Sequence, residues 1–329
     1  MSADSISVLI FQIYHYAFSL AGCCFSVFLT YLCLYHTPDA IKTFTVVSIN
    51  FAITDFSICF SNFFVQQRLI PLGNTLAHIP YGLCNKISPY ACHVWYSIHL
   101  HWYSHCLWGL LLSFVYRYYV LFHPTPTKKK MALLVASIYP ISFFQLILYL
   151  FAYDDPDEVR QVLVKAHPDY DIEGRIVVGT LDIHRFPAMF TVLHMTLPVS
   201  VAYSTIIFFR TKTVSNLKKR GSQMSKSQRS KHAQLLWSLT YQSMIPTYYF
   251  IAVLSFVLGQ FDIIRIPFLE FFTSSVALCI PVFCPMSSFC FVTPYRSYIA
   301  NKVRSFLGIQ TKDVASVNPS MVSTVNNAN

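Results

Sequence analysis

Seven apolar stretches constrain this chain more than any other feature. They run over about 7–35, 43–65, 90–120, 131–151, 187–209, 234–258 and 267–292. A membrane span needs roughly 20 mostly apolar residues. Inside hydrocarbon every backbone N–H must be satisfied within its own segment, so such stretches become helices. The expected fold is an all-α membrane protein, a seven-transmembrane helix bundle. The third stretch is the weakest, rich in His, Trp and Tyr, and the seventh is broken by Pro281 and Pro285. Only 12% of residues are charged, 54% are hydrophobic and the mean hydropathy is +0.48. A net charge of +10 would suggest nucleic acid in a soluble protein. Here the charge lies between spans, so a lipid bilayer is the expected partner and nucleic acid is not. The first residues carry neither a basic segment nor a small-residue cleavage site, so a cleaved signal peptide is not expected.

Orientation follows from Lys and Arg, which gather on the cytoplasmic side. The segments 36–42, 117–130, 210–232 and the tail from Thr293 hold seventeen of them. The segments on the other face hold seven. This places the N-terminus outside and the tail inside, in a multi-pass plasma-membrane protein.

The stretch LLSFVYRYYVLFHPTPTKKK closes the third span with Arg117, set among Tyr116, Tyr118 and Tyr119. Arg117 is either a snorkelling anchor that fixes depth or the arginine that seven-helix receptors carry at this point. In the second span Asn50 and Asp55 stand in an N-x-A-x-x-D pattern. A carboxylate deep in a span is expensive and usually functional. The pattern resembles the second-span signature of rhodopsin-like receptors, where the acid joins a network that rearranges on activation; the alternative is a structural carboxylate satisfied by hydroxyls. Pro246, midway along the sixth span, removes a backbone hydrogen bond and offers a hinge.

Ten cysteines show no paired metal spacing, and no metal or cofactor is expected. The second outer loop, 153–186, holds no cysteine. Cys84 and Cys92 are the thiols available in an oxidising compartment and are expected to be bridged. The segment 210–232 has eight basic residues and no acid, a surface for anionic lipid or a G protein. Beyond the seventh span, Tyr295, Arg296, Tyr298, Ile299, Phe306 and Leu307 read as a short amphipathic juxtamembrane helix on the inner leaflet. Residues 1–309 form the expected receptor domain, and 310–329, rich in Ser, Thr and Asn, a disordered cytoplasmic tail.

Several stretches carry a family likeness, NFAITD, FFVQQRLIP, YGLC, LLSFVYRYY, SKHAQLL, QFDIIRIPFLE and FVTPYR, of which FVQQR, SFVYRYY and PYR are specific in combination. Together they resemble the nematode serpentine chemoreceptors of class delta, the Srd family. The resemblance implies a chemosensory G-protein-coupled receptor for a small environmental molecule or pheromone, working through a heterotrimeric G protein, in chemosensory neurons. Rhodopsin-like switch rules do not carry over whole. Tyr116 replaces the acid before the arginine, Pro285-Met286-Ser287-Ser288-Phe289 replaces N-P-x-x-Y, and the sixth span lacks C-W-x-P.

Ligand pockets in such bundles form between spans in the outer half. The side chains expected there are His101, Trp102 and His105 of the third span, His194 of the fifth, Tyr248 and Tyr249 of the sixth, and Glu270 of the seventh. Glu270 needs a partner, which is either a basic group of the bundle or a cationic ligand. The competing reading is a polytopic transporter or channel. Transporters often show internal repeats and broken binding helices; no repeat is visible and the span count is odd. An enzyme is not expected, because the carboxylates and histidines do not gather at one depth.

Overall fold

The computed structural model describes residues 3–38, 42–120, 122–170, 172–221, 226–264 and 266–307. The main helices are α1 (Ala3–Tyr35), α2 (Lys42–Val65), α3 (Pro89–Tyr119), α4 (Lys128–Ser137), α5 (Tyr139–Leu150), α6 (Pro156–Ala166), α7 (Phe186–Gly221), α8 (Lys226–Gln260), α9 (Pro267–Phe291) and α10 (Thr293–Phe306). The fourth span is made by α4 and α5 together. Pro140 lies at the first turn of α5, where its missing N–H costs nothing.

Among the described residues, six helical stretches are long and apolar enough to cross a membrane: all the expected spans but the third. The reason lies in packing. α3 runs through the bundle, and its histidines, its serines and Tyr96, Tyr103 and Tyr116 are buried against its neighbours. Its polarity therefore faces protein rather than lipid. α1 shows the opposite distribution, with Leu9, Ile13, Leu20 and Val27 turned outward, as lipid-facing residues must be. Ile58, Tyr103, Leu107, Leu110, Phe114, Ile206, Ile245 and Ile280 form the central core where α2, α3, α7, α8 and α9 meet.

Two regions differ from the sequence reading. The segment 210–232 is helical up to Gly221 and again from Lys226, so α7 and α8 continue past their apolar parts. Lys, Arg, Gln and Leu favour helix, and Gly221 is the one breaker within this segment. The tail expected from 310 onward lies outside the described residues.

The second difference is a sheet at the N-terminal end of the bundle. Strands β1 (Gln67–Leu72), β2 (Thr75–Pro80) and β3 (Val178–Thr180) pair antiparallel in that order. Leu69 lies opposite His78, and Ala77 opposite Gly179. The turn Gly73–Asn74 places Gly73 at φ 65, where glycine is preferred in two-residue hairpins. Gly179 allows β3 to close on β2, because a Cβ there would stand 2.2 Å from the Leu76 carbonyl oxygen.

Period-2 alternation gives this sheet two faces. Ile70, Ala77 and Ile79 pack under Val159 and Leu163 of α6. Gln67, Leu69, Leu76 and His78 are the alternate set. α6 itself is well specified: Asp155 caps it by accepting from Asp157 N at 2.8 Å, Pro156 opens it, Asp157 and Glu158 fill its first turn and Lys165 its last, each complementing the helix dipole. Cys84 and Cys92 are joined, with Cα atoms 5.0 Å apart, and pack beside Val178. The sheet is thereby tied to the start of α3.

Candidate functional site

Beneath the sheet lies a cavity of about 140 Å³. The alternate face of the sheet roofs it with Gln67, Leu69 and Leu76. Its walls include His99 and Tyr103 of α3, Thr191 and Met195 of α7, Tyr249 and Val253 of α8, and Ala277 of α9. A wider space of about 730 Å³ opens beside it, between β1, α6 and the facing ends of α8 and α9. Leu69, Phe256 and Thr273 border both, so they form the partition between vestibule and cavity.

The vestibule wall carries an ion pair. Arg68 Nε donates to Glu270 Oε2 at 2.7 Å, with side-chain exposures of 1% and 11%. Tyr170 donates its hydroxyl to Glu270 Oε1 at 2.7 Å. The Arg68 guanidinium also lies over the rings of Tyr170 and Phe271, at 4.3 and 4.5 Å. Burial works against the charge of Arg68, but Glu270 and Tyr81 beside it outweigh this and hold its pKa above the usual value. Burial and the same carboxylate push Tyr170 up. Glu270 therefore has a basic partner of the protein, from β1. Sequence reasoning left that partner open, because Arg68 and Glu270 are 202 residues apart.

The other expected ligand-contact residues divide. Tyr249 lines the cavity and donates to the Tyr103 carbonyl at 2.7 Å. Glu270 lines the vestibule. His194 stands 2.8 Å from Ser104 Oγ, beside the cavity-lining Thr191 and Met195. Tyr248 stacks on Phe283, centroids 5.7 Å apart. His101, Trp102 and His105 line neither space and face α5 instead. His105 Nε2 lies 3.1 Å from Asn50 Oδ1, and its ring is 3.8 Å from that of Tyr139. Tyr139 donates to the same Asn50 oxygen at 3.3 Å. His101 and Trp102 meet the edge of this cluster. The structure thus puts His105 and Asn50 in one knot joining α2, α3 and α5.

A second polar knot was missed in the sequence. His15 of α1 reaches Asn62 Oδ1 at 3.2 Å and Ser275 Oγ at 3.3 Å, and Asn62 donates to Ser19 Oγ at 2.8 Å. Polar residues in an apolar first span were the available signal.

At the far end of the bundle Arg117 is buried. Its Nη1 donates to Gln242 Oε1 of α8. Gln242 Nε2 in turn donates to Ser287 Oγ of α9 at 2.9 Å. The rings of Phe44 and Phe114 lie 5.1 and 5.9 Å from the guanidinium. Tyr116 stacks on Phe44, and Tyr118 contacts Phe209. Asp55 is fully buried in α2, with the Cys284 thiol of α9 beside it. Pro246 is buried within α8, between Gln242 and Tyr249. Tyr295 is buried among Leu29, Leu32 and Cys33 of α1 and meets Thr37 Oγ1 at 2.6 Å, while Arg296 is exposed.

The model of the family "Serpentine type 7TM GPCR chemoreceptor Srd" matches residues 11–301. Serpentine receptor class delta-18 of Caenorhabditis elegans is 33% identical over 312 residues, 92% of this chain and 93% of that protein. Serpentine receptor class delta-19 of the same organism is 33% identical over 301 residues, 90% and 89% respectively. The chain belongs to the Srd chemoreceptor family. Its fold is also that of squid rhodopsin, at TM-score 0.57 and 14% identity, covering 90% of this chain and 80% of that one.

This Srd chain is accordingly a multi-pass membrane protein of the G-protein-coupled receptor type, in a family that is not one of enzymes. Its Arg117 is held as the substitution of Tyr116 for an acid leads one to expect, without an ionic partner among the described residues. No acid precedes the arginine, and the partner is a neutral amide from α8. Gln242 lies in an apolar stretch, and that polarity was the signal for it.

Proposed function

We propose that this chain is a plasma-membrane chemoreceptor that takes a small molecule beneath its sheet and activates a heterotrimeric G protein at its Arg117 end. The sheet end faces outside, as the Lys and Arg distribution and the bridged Cys84 and Cys92 suggest. α10 lies along the inner leaflet, with Phe306 and Leu307 exposed at its end.

One observation carries the reading: α8 serves both ends. Tyr249, Ala252, Val253 and Phe256 line the cavity, Gln242 holds Arg117, and Pro246 stands between them. A ligand that fits one tilt of the outer part of α8 better than another shifts the population of inner-end states. Release of Gln242 then frees Arg117 and opens the inner face to the G protein. Chemosensory neurons are the cells in which such a receptor is of use.

The test is agonist-dependent nucleotide exchange on a co-expressed Gα protein, with small odorants as probes. Exchange above the receptor-free background, abolished by Arg117→Ala at equal surface level, is the expected result. Staining of an N-terminal epitope only after permeabilisation would reverse the orientation and sink the reading.

A further inference from the structure

We infer that the cavity beneath the sheet is built for a small uncharged molecule whose polar end both donates and accepts hydrogen bonds, with Gln67 as the residue that reads it. The inference rests on that cavity being the ligand site of the receptor.

Three observations support it. Gln67 is 3% exposed and belongs to the cavity lining. Neither its Nε2 nor its Oε1 has a hydrogen-bond partner among the described residues. Buried amides are normally satisfied on both atoms, and leaving a buried polar group orphaned is unfavourable. Gln66 and Gln145 are also unpartnered, but they line neither space, so Gln67 alone of the three can be satisfied from the cavity.

The rest of the lining decides the class. It includes no Asp, Glu, Lys or Arg. A charged ligand would lose its hydration without gaining a counter-ion, an unfavourable exchange. The nearest ion pair, Arg68 with Glu270, lies on the vestibule side, where both carboxylate oxygens of Glu270 are taken up, by Arg68 Nε and by Tyr170. Leu100, Val192, Met195, Val253 and Ala277 suit an apolar body. A carboxamide has two N–H donors and a carbonyl acceptor, so its reciprocal is another primary amide. The volume is well below the roughly 300–1,000 Å³ of drug-sized sites, which points to a short chain or single ring. Entry runs through the vestibule and past Leu69, Phe256 and Thr273.

The experiment uses the full-length receptor in lipid nanodiscs, with hexanamide as probe and hexylammonium, hexanoate and methyl hexanoate as matched controls. Thermal unfolding reads binding, and Gα nucleotide exchange reads coupling. Hexanamide should raise the melting temperature and the two charged controls should not. The ester, which only accepts, should bind more weakly. Gln67→Leu should weaken hexanamide tenfold or more while raising the melting temperature of the probe-free receptor, because an orphaned amide is removed. Gln67→Asn should retain part of the response. Equal stabilisation of wild type and Gln67→Leu, equal binding of the charged controls, or no binding of hexanamide to wild type would each overturn the inference. Stabilisation without nucleotide exchange would instead count against receptor coupling and leave the cavity assignment standing.

Discussion

The two ends of the bundle each bury an arginine, and they treat it differently. At the sheet end Arg68 meets a carboxylate, a tyrosine hydroxyl and two aromatic faces. That end is further closed by strand pairing and a disulfide. At the far end Arg117 meets one neutral amide and two aromatic faces. A buried charged pair is hard to open, because either partner left alone is a buried charge. A charge held by an amide is easier to release. On the proposed function the ends have separate tasks: the sheet end keeps its shape around the cavity, and the Arg117 end is the one proposed to change state.

The largest test strikes the firm end. Glu270→Leu leaves Arg68 buried beside Tyr170 and Tyr81 without its carboxylate. Loss of one member of a buried pair costs about 3–5 kcal/mol, and the low end applies because Tyr81 stays close to the guanidinium. Thermal unfolding of purified receptor should record the drop. Adding Arg68→Met to the same chain should recover most of it. A failure of the double variant to recover would mean that the pair is more than a closure. Next in size is Cys84→Ala with Cys92→Ala. The bridge closes a separation of 8 residues, for which the chain-entropy argument gives on the order of 2–3 kcal/mol. Unchanged melting in the double alanine variant would show that the sheet holds the start of α3 by itself.

The same contrast explains what the sequence made legible. Spans one, two, three, four and seven could be placed within a few residues, because hydropathy and the cost of unsatisfied backbone act locally. Arg117 and Asp55 stood out because a charge in a span is rare. The sheet did not stand out. Its hairpin is marked by Gly73–Asn74, but β3 arrives from about a hundred residues later and the Arg68 partner from 202. Pairings at that separation leave no local periodicity. The histidines of α3 misled for a related reason. Depth along the helix was readable and azimuth was not, so His101 and His105 were expected at the ligand and lie toward α5. Gln67 shows the opposite case: it stands between Gln66 and Arg68, and its meaning depended on which face of an unseen sheet it took.

A third test concerns pH at the firm end. His78 of β2 is buried, with Nε2 3.3 Å from the Tyr149 hydroxyl. Burial, and His93 beside it, push His78 down to about 3. The unfolded chain titrates near the ordinary value of about 6.5. As pH falls through that value the unfolded state takes a proton that the folded state refuses, so stability is lost from about pH 6.5 downward. The loss from this group between about pH 7 and pH 5 is about 2 kcal/mol. His78→Gln should flatten melting temperature against pH by that amount. An unchanged slope would mean that the sheet opens to admit the proton.

The smallest change addresses the loose end and carries the most information. Gln242 is the α8 residue that holds Arg117, and it passes the contact on to Ser287 of α9. A hydrogen bond to a charged group is worth about 1.5–3 kcal/mol. Gln242→Ala removes the amide and should favour the released state by about 1.5 kcal/mol, roughly a tenfold shift in population. The expected readout is higher agonist-independent nucleotide exchange with little change in melting temperature. Gln242→Glu places a carboxylate where the amide was and gives Arg117 the kind of partner that Arg68 has. It should lower basal exchange and demand more agonist for the same response. The two variants differ in sign, so loss of folding cannot imitate the pair. If both lower exchange, Gln242 positions Arg117 for the G protein rather than restraining it, and the loose end is not the element that changes state.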